Sequence, residues 1–214
     1  FGAAVEEIWQ EADERLEEPR LVRLWQGDAV YAMLIALARD DRSAAERSAS
    51  LLRSLAEQEP HETRRQALRG WVEAALGEDP APLADALSGV ATQDDLDRLP
   101  VYRTACRLLS EYGQALPETI LDLLAGGQAI QTEDAFQCWY AIARALADDD
   151  NARLAAAIDT AEAHHLAPHA ARMRVTLAQR AHDRAQLDLA RPALERLGDA
   201  LFLRKLEEVA AALS

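Results

Sequence analysis

Three consecutive carboxylates, Asp148, Asp149 and Asp150, have the residue type that binds a hard metal ion. Divalent cations such as Ca²⁺ and Mg²⁺ prefer clustered carboxylate oxygens. Adjacent carboxylates in one turn diverge, however, and the helix that follows needs an N-cap residue of this kind. We therefore interpret the run as a turn and a helix cap, and we predict no metal site here.

Three histidines, His164, His165 and His169, form a second group with chemical potential. Two zinc ligands on one helical face lie four residues apart, but Pro168 interrupts the helix between His165 and His169. These residues are predicted to form a turn at a helix end. An α-helical, metal-dependent enzyme that uses the histidines and the aspartates is a minor alternative.

Other catalytic and cofactor signatures are missing from the sequence. Gly126-Gly127 lacks the lysine and the following helix of a phosphate-binding loop. No Gly-x-Ser-x-Gly nucleophile motif is present. Cys106 and Cys138 have no metal or redox spacing and are expected to be buried, reduced thiols. We predict a protein that is not an enzyme and has no cofactor.

The composition indicates an all-α protein. Half of the 214 residues are apolar, only 5% are aromatic, and alanine is abundant. Alanine, leucine and arginine favour helix by intrinsic propensity. Few segments alternate β-branched residues, and no β-hairpin signature appears.

The net charge of the chain limits the classes of partner that it can bind. There are 37 acidic and 23 basic residues, a net charge of −14, which argues against direct nucleic-acid contact and against anionic membranes. No apolar run approaches the ~20 residues that span a bilayer, and there is no signal-peptide pattern. We expect a cytoplasmic protein.

The clearest helical pattern lies between Phe136 and Pro168. Apolar residues recur at helical spacing on one face from Trp139 to Leu146 and on a second face from Leu154 to His165. Two short amphipathic helices of this kind form a hairpin that cannot bury its apolar face alone, so such hairpins occur in stacks.

Similar turns recur about every 33 to 38 residues along the chain. This period predicts about five hairpins over residues 28–197, with flanking helices at 3–17 and 199–213, in a single domain covering 1–214. The predicted hairpin turns lie near Asp40, Glu78, Gly113, Asp149 and His182.

At these positions the sequence resembles the tetratricopeptide-repeat class. The first helix of that repeat carries an aromatic residue, a large apolar residue three positions on, a small residue next, and another large residue three further. Trp139, Ile142, Ala143 and Leu146 match this pattern, and Tyr102, Ala105, Cys106 and Leu109 match it more loosely. The resemblance implies an α-solenoid of antiparallel helix hairpins wound into a right-handed superhelix.

The alanine-rich style is similar to the helical arrays beside the ATPase modules of large bacterial signalling proteins and transcriptional activators. That likeness implies a region of a larger regulatory protein and carries over no catalytic residue. The leading hypothesis is a protein-interaction or ligand-sensing scaffold that binds a partner segment in its concave groove. The alternative is a self-associating structural module whose end helices, 3–17 and 199–213, stack between copies into a homo-oligomer.

The resemblance also implies where a partner would bind, because the first helices of such hairpins line the concave surface. Those helices carry Arg64, Arg65, Arg69, Arg103, Arg107, Arg144, Arg172 and Arg174. The predicted partner-binding groove consists of Arg65, Arg69, Arg103, Arg107, Gln137 and Arg144. A basic groove suits an acidic protein or peptide segment, or a small anion, through bidentate arginine contacts. The other interpretation is that these arginines pair with neighbouring acids, such as Glu73 and Glu111, at helical spacing.

Overall fold

The computed structural model describes residues 22–90, 102–126 and 134–214, with side chains from residues 28, 107 and 134 onward in these ranges. Eleven helices and no strand occur within these ranges, which confirms the predicted all-α class. The helices are α1 (Val22–Ala38), α2 (Arg42–Glu57), α3 (Glu62–Gly77), α4 (Ala81–Leu87), α5 (Tyr102–Glu111), α6 (Glu118–Gly126), α7 (Asp134–Ala147), α8 (Asn151–Ala163), α9 (Ala167–Ala181), α10 (Ala185–Leu197) and α11 (Ala200–Ala212). None of these described helices has both the length and the apolar character needed to cross a bilayer.

The chain divides into two compact units. The first comprises residues 1–90 and 94–105, and the second comprises residues 91–93 and 106–214. Consecutive helices pack on each other in both units: α1 on α2, α2 on α3 and α3 on α4 in the first, and α7 through α11 in sequence in the second. The prediction of one solenoid over residues 1–214 stays a prediction.

The backbone confirms turns at the five predicted positions, while their arrangement as five stacked hairpins stays a prediction. Each has a residue in the left-handed conformation, with φ between 52° and 72°. A helix commonly ends at such a residue because the left-handed turn lets its next amides satisfy the last free carbonyls. The five residues are Asp40, Glu78, Gly113, Asp149 and His182.

In the first unit, Gly70 permits a close approach of α3 and α4. A Cβ atom at this position would lie 2.6 Å from the carbonyl oxygen of Pro82 and 3.0 Å from the Cβ of Ala86. Since real Cβ atoms do not approach backbone oxygen so closely, any larger residue would push the two helices apart. Trp71, the next residue, is wholly buried in the core of this unit.

In the second unit the core lies between α7, α8 and α9, around Ile142, Leu154, Ile158 and Met173. Helix α9 is buried on all sides, because every side chain from His169 to Ala178 is buried. That stretch includes polar and charged residues, which are stable in an interior only when they are hydrogen-bonded or ion-paired. The partners of α9 therefore decide how the second unit is assembled.

Candidate functional site

Four titratable side chains from three parts of the second unit meet in its interior. Glu111 ends α5, His169 and Arg172 lie on α9, and Asp199 is the N-cap of α11. All four are buried, with Arg172 the most exposed at 8%. We call Glu111, His169, Arg172 and Asp199 the buried ion cluster.

Glu111 is the centre of the buried ion cluster. Its Oε2 accepts a hydrogen bond from Nη1 of Arg172 at 2.8 Å, and its Oε1 lies 3.1 Å from Nδ1 of His169. Arg107, one turn earlier in α5, donates from Nε to the same Oε1 at 2.6 Å. Arg172 donates from Nε to Oδ2 of Asp199 at 2.7 Å. Two cations, Arg107 and Arg172, therefore face two anions, Glu111 and Asp199.

The electrostatics of the cluster favour this distribution of charge. Burial raises the pKa of Glu111, but Arg107, Arg172 and the hydrogen bond to His169 together hold it well below its ordinary value. Burial is the largest cause of the lowered pKa of His169. The hydrogen bond and charge of Glu111 act against it, and the charges of Arg107 and Arg172 lower the pKa further. At neutral pH the cluster thus contains an ionised Glu111 and a neutral His169.

The end of α5 docks on α9 through backbone contacts as well. Thr176 donates from Oγ1 to the carbonyl oxygen of Glu111 at 2.9 Å. The chain then turns at Gly113, whose φ is +72° and whose absent Cβ would lie 3.1 Å from Cγ2 of Thr176. Glycine suits this turn because it adopts positive φ without a steric penalty.

A second arginine of α9, Arg174, links that helix to α8 and α10. It donates to Glu162 from Nε at 2.9 Å and to Asp159 from Nη2 at 2.8 Å, both on α8. It also donates from Nη1 to Oε1 of Gln186 on α10 at 2.8 Å. Arg174 therefore holds α8 and α10, while Arg172 holds α5 and α11. Both arginines lie inside the unit rather than on an open surface.

The residues of the predicted groove lie in both units. Arg65 and Arg69 lie one turn apart on α3 in the first unit, and Arg107, Gln137 and Arg144 lie in the second. The side chain of Arg103 is outside the described residues. The partner-binding groove therefore stays a prediction.

Each described arginine of this set has an acidic partner in the chain. Arg65 lies 3.6 Å from Glu62, Arg69 pairs with Glu57, and Arg107 pairs with Glu111. Arg144 donates to Glu118 at 2.6 Å and lies 3.0 Å from Asp148. Gln137 is exposed on α7, two turns before Arg144.

The alternative interpretation is that these arginines pair with Glu73 and Glu111 at helical spacing, and the structure contains one of these two pairs. Arg107 and Glu111 do pair four residues apart on α5. Arg69 pairs with Glu57 of α2 rather than with Glu73 of its own helix, and Glu73 accepts from Arg53 of α2 at 2.9 Å. Ion pairs between α2 and α3 thus replace a pair within α3.

The predicted turn and cap at the aspartate run are confirmed. Asp150 caps α8, since its side chain accepts from the backbone N–H of Arg153 at 2.9 Å. Asp148 lies 2.7 Å from Nη1 of Arg153, and Asp149 takes the left-handed turn conformation and pairs with Arg180. No group of three or more metal-ligand side chains occurs in the part of the chain that the structure describes.

The histidines separate rather than converge. His165 takes the left-handed conformation that follows α8, as the predicted turn requires. His164 is exposed and lies 3.3 Å from Asp134, whereas His169 is buried in the ion cluster. Cys138 is buried, as predicted, and burial followed by the charge of Asp134 raises the pKa of its thiol. The side chain of Cys106 lies outside the described residues.

Fold and site together define an all-α chain of consecutively packed helices whose second unit is assembled around buried ion pairs. Comparison with known proteins finds no relative: no family model, no curated protein and no solved structure matches the chain.

Proposed function

We propose that the chain is a helical interaction scaffold that binds an acidic segment of a partner protein through exposed arginines. The observation that carries the proposal is a division among the arginines. Arg107, Arg172 and Arg174 pair with acids in or beside the interior of the second unit. Arg69 instead has a side chain that is 46% exposed, and its partner Glu57 is 62% exposed.

Exposed ion pairs are easily exchanged for a partner's carboxylates. Such pairs contribute about 0–1 kcal/mol, because water screens them and both side chains lose freedom. A bidentate contact with a carboxylate in a partly dry interface is stronger than a solvated pair. An acidic partner can therefore replace Glu57 at Arg69 at little cost, whereas replacing Glu111 at Arg172 would open the second unit.

Two surface stripes of the described residues fit this use. On α3, Arg65 and Arg69 lie one turn apart, and the side chain of Arg69 is the more exposed of the two. On α7, Gln137 is exposed and Arg144 is half-buried beside the exposed Glu118. Each stripe offers at least one planar guanidinium to an acidic segment.

The tetratricopeptide-like character of the scaffold is also a proposal, as is its place in a larger bacterial regulatory protein. It is supported by the left-handed turns at the predicted intervals and by the burial of Ile142, Ala143 and Leu146. Those residues occupy the large, small and large apolar positions of the repeat pattern that Trp139 begins. A right-handed superhelix and a role in signalling or transcriptional regulation follow from the same resemblance.

Self-association through the end helices is less well supported. The exposed residues of α11 are largely polar, which is typical of a capping helix rather than of a stacking surface. Residues 3–17 lie outside the described residues. The exposed residues of α11 are Arg204, Glu207, Glu208, Ala211 and Ala212.

A fluorescence-anisotropy titration tests the proposal. The probe is a labelled, glutamate-rich peptide without stable structure, titrated with the full chain at low salt. We expect the double charge reversal Arg65→Glu with Arg69→Glu to weaken binding at least tenfold while far-UV circular dichroism stays unchanged.

The matched control is Arg42→Glu with Arg47→Glu, because both are exposed arginines of the same unit and this double reversal changes the net charge by the same amount. Equal loss of affinity in the control would reduce the effect to net charge and contradict a specific site. Binding that the double reversal leaves intact would remove α3 from the proposal. A chain that sediments as a concentration-dependent oligomer would favour self-association instead.

A further inference from the structure

Among the described residues of the second unit, two buried side-chain nitrogen atoms lack a hydrogen-bond partner, and they lie on rings that touch. They are Nε2 of His169 and Nε1 of Trp139. The ring centroids are 6.3 Å apart, and the ring planes are nearly perpendicular at 83°. Buried polar atoms without partners are rare because each one forfeits its hydrogen bond to water. Two of them on adjacent rings therefore call for a common explanation.

The buried ion cluster decides which nitrogen of His169 carries the hydrogen. An ionised Glu111 can only accept, so the contact of 3.1 Å to Nδ1 requires the hydrogen on Nδ1. In the neutral ring Nε2 then presents a lone pair, while the indole nitrogen of Trp139 is always a donor. One unpaired acceptor and one unpaired donor thus belong to the two touching rings.

We propose that Trp139 and His169 form a proton-sensitive contact between α7 and α9. In this contact the indole N–H donates to Nε2 of the neutral imidazole through one bridging water molecule, because no direct hydrogen bond joins the two atoms. Protonation of His169 places a hydrogen on Nε2, so the water can no longer donate to the ring, and the added buried charge favours opening of the contact. The contact is separate from the exposed arginines of the proposed function.

The charges around His169 support neutrality at pH 7. With a neutral imidazole, two guanidiniums balance two carboxylates, and protonation would add an uncompensated charge to a buried site. The pKa of His169 is accordingly lowered, chiefly by burial. The groups facing the ring are Glu111 and Arg107 from α5, Arg172 from α9 and Trp139 from α7, with Asp199 of α11 behind Arg172.

The contact makes the packing of α7 against α9 depend on pH. Above the ordinary histidine pKa of about 6.5, the imidazole is neutral and the contact is closed. As the pH falls below that value, protonation of His169 favours states in which Trp139 has moved away. Nδ1 of His169 keeps its hydrogen bond to Glu111 whether the ring is neutral or protonated. The change in hydrogen bonding is therefore confined to Nε2 and its contact with Trp139 of α7.

Nitrogen NMR on the full chain, labelled in its histidine rings and tryptophan indoles, tests this contact. At pH 8 we expect His169 in the tautomer with hydrogen on Nδ1. We also expect the indole N–H signal of Trp139 to shift with the same midpoint as the imidazole of His169. A hydrogen on Nε2 at pH 8, or an indole signal that ignores the titration of His169, would overturn the proposal.

The variant Trp139→Phe gives a second, independent test. It keeps an aromatic ring and removes the donor that stabilises the neutral imidazole, so the midpoint of His169 should rise by about 0.7 pH unit. The control is Trp71→Phe, because Trp71 is also buried with an unpaired Nε1 but lies in the first unit. An unchanged midpoint in Trp139→Phe, or an equal change in both variants, contradicts the contact. If Trp139→Phe fails to fold, the tautomer and shared midpoint of the unchanged chain decide the matter.

Discussion

Replacing Glu111 with glutamine tests whether the buried ion cluster holds the second unit together. The amide keeps the shape of the side chain and removes the negative charge that Arg107 and Arg172 share. The guanidinium of Arg172 then has one buried carboxylate partner, Asp199, where it had two. Removing one member of a buried ion pair destabilises a protein by about 3–5 kcal/mol, because the remaining charge stays desolvated.

Urea unfolding followed by far-UV circular dichroism at pH 7.5 measures this loss. For a slope of about 2 kcal/mol per molar urea, the midpoint for the second unit should fall by about 1.5–2.5 M. Because Arg172→Met removes the same ion pair, the two changes together should destabilise less than their sum.

The control for this prediction is Glu207→Gln. Glu207 pairs with Arg191 at 2.7 Å but is 63% exposed, so its loss should change stability by about 0–1 kcal/mol. If Glu111→Gln destabilises no more than Glu207→Gln, the interior network contributes no more than a surface pair, and the reasoning about α9 is refuted.

Three further predictions follow from other contacts. Gly70→Ala should destabilise the first unit by about 1–3 kcal/mol, since the new Cβ meets the carbonyl of Pro82 at 2.6 Å; an unchanged thermal midpoint contradicts this. Asp150→Ala removes the N-cap of α8 and should cost about 1 kcal/mol in urea unfolding, whereas Asp150→Asn should cost much less. Stability should fall with decreasing pH in two windows. His169 has a lowered pKa in the fold, so the unfolded chain binds more protons below about 6.5. Glu111 also has a lowered pKa, so its contribution is lost as acid protonates it, below about pH 4.3. Urea midpoints that stay constant from pH 8 to 5.5 would contradict the first window.

The turns and caps could be predicted because their signals are local. An acidic or glycine residue after a helical period marks a left-handed turn, and this holds at Asp40, Asp149 and Gly113. The aspartate run shows the same locality, since Asp150 caps the helix that immediately follows it. Helical period alone also identified the buried face of α7 around Ile142.

The buried ion cluster could not be predicted, because its partners are distant in sequence. Arg172 lies 61 residues from Glu111 and 27 residues from Asp199, and no periodicity relates such positions. The available signal was a polar stripe on an otherwise apolar helix, formed by His169, Arg172 and Thr176 at helical spacing. Such a stripe indicates that partners exist and does not identify them.

The arginines illustrate the same limit. The sequence places Arg69 on the first helix of the second predicted hairpin, and Arg172 and Arg174 on the first helix of the fifth, where the resemblance gives them one role. The structure separates them, because Arg172 and Arg174 are buried while Arg69 is exposed. Burial depends on which elements pack around a helix, and α9 is enclosed by neighbours that its own sequence does not specify.

The most direct test of this account compares two charge reversals, Arg69→Glu and Arg172→Glu, in both assays. The account predicts that Arg69→Glu weakens binding of the glutamate-rich peptide and leaves the urea midpoint within experimental error. It predicts that Arg172→Glu lowers the urea midpoint by more than 1 M, since Asp199 loses its cation, Glu111 loses one of two, and a third buried carboxylate is added. A stable Arg172→Glu chain with weakened peptide binding would contradict the division of roles, and so would an Arg69→Glu chain that unfolds early and binds normally.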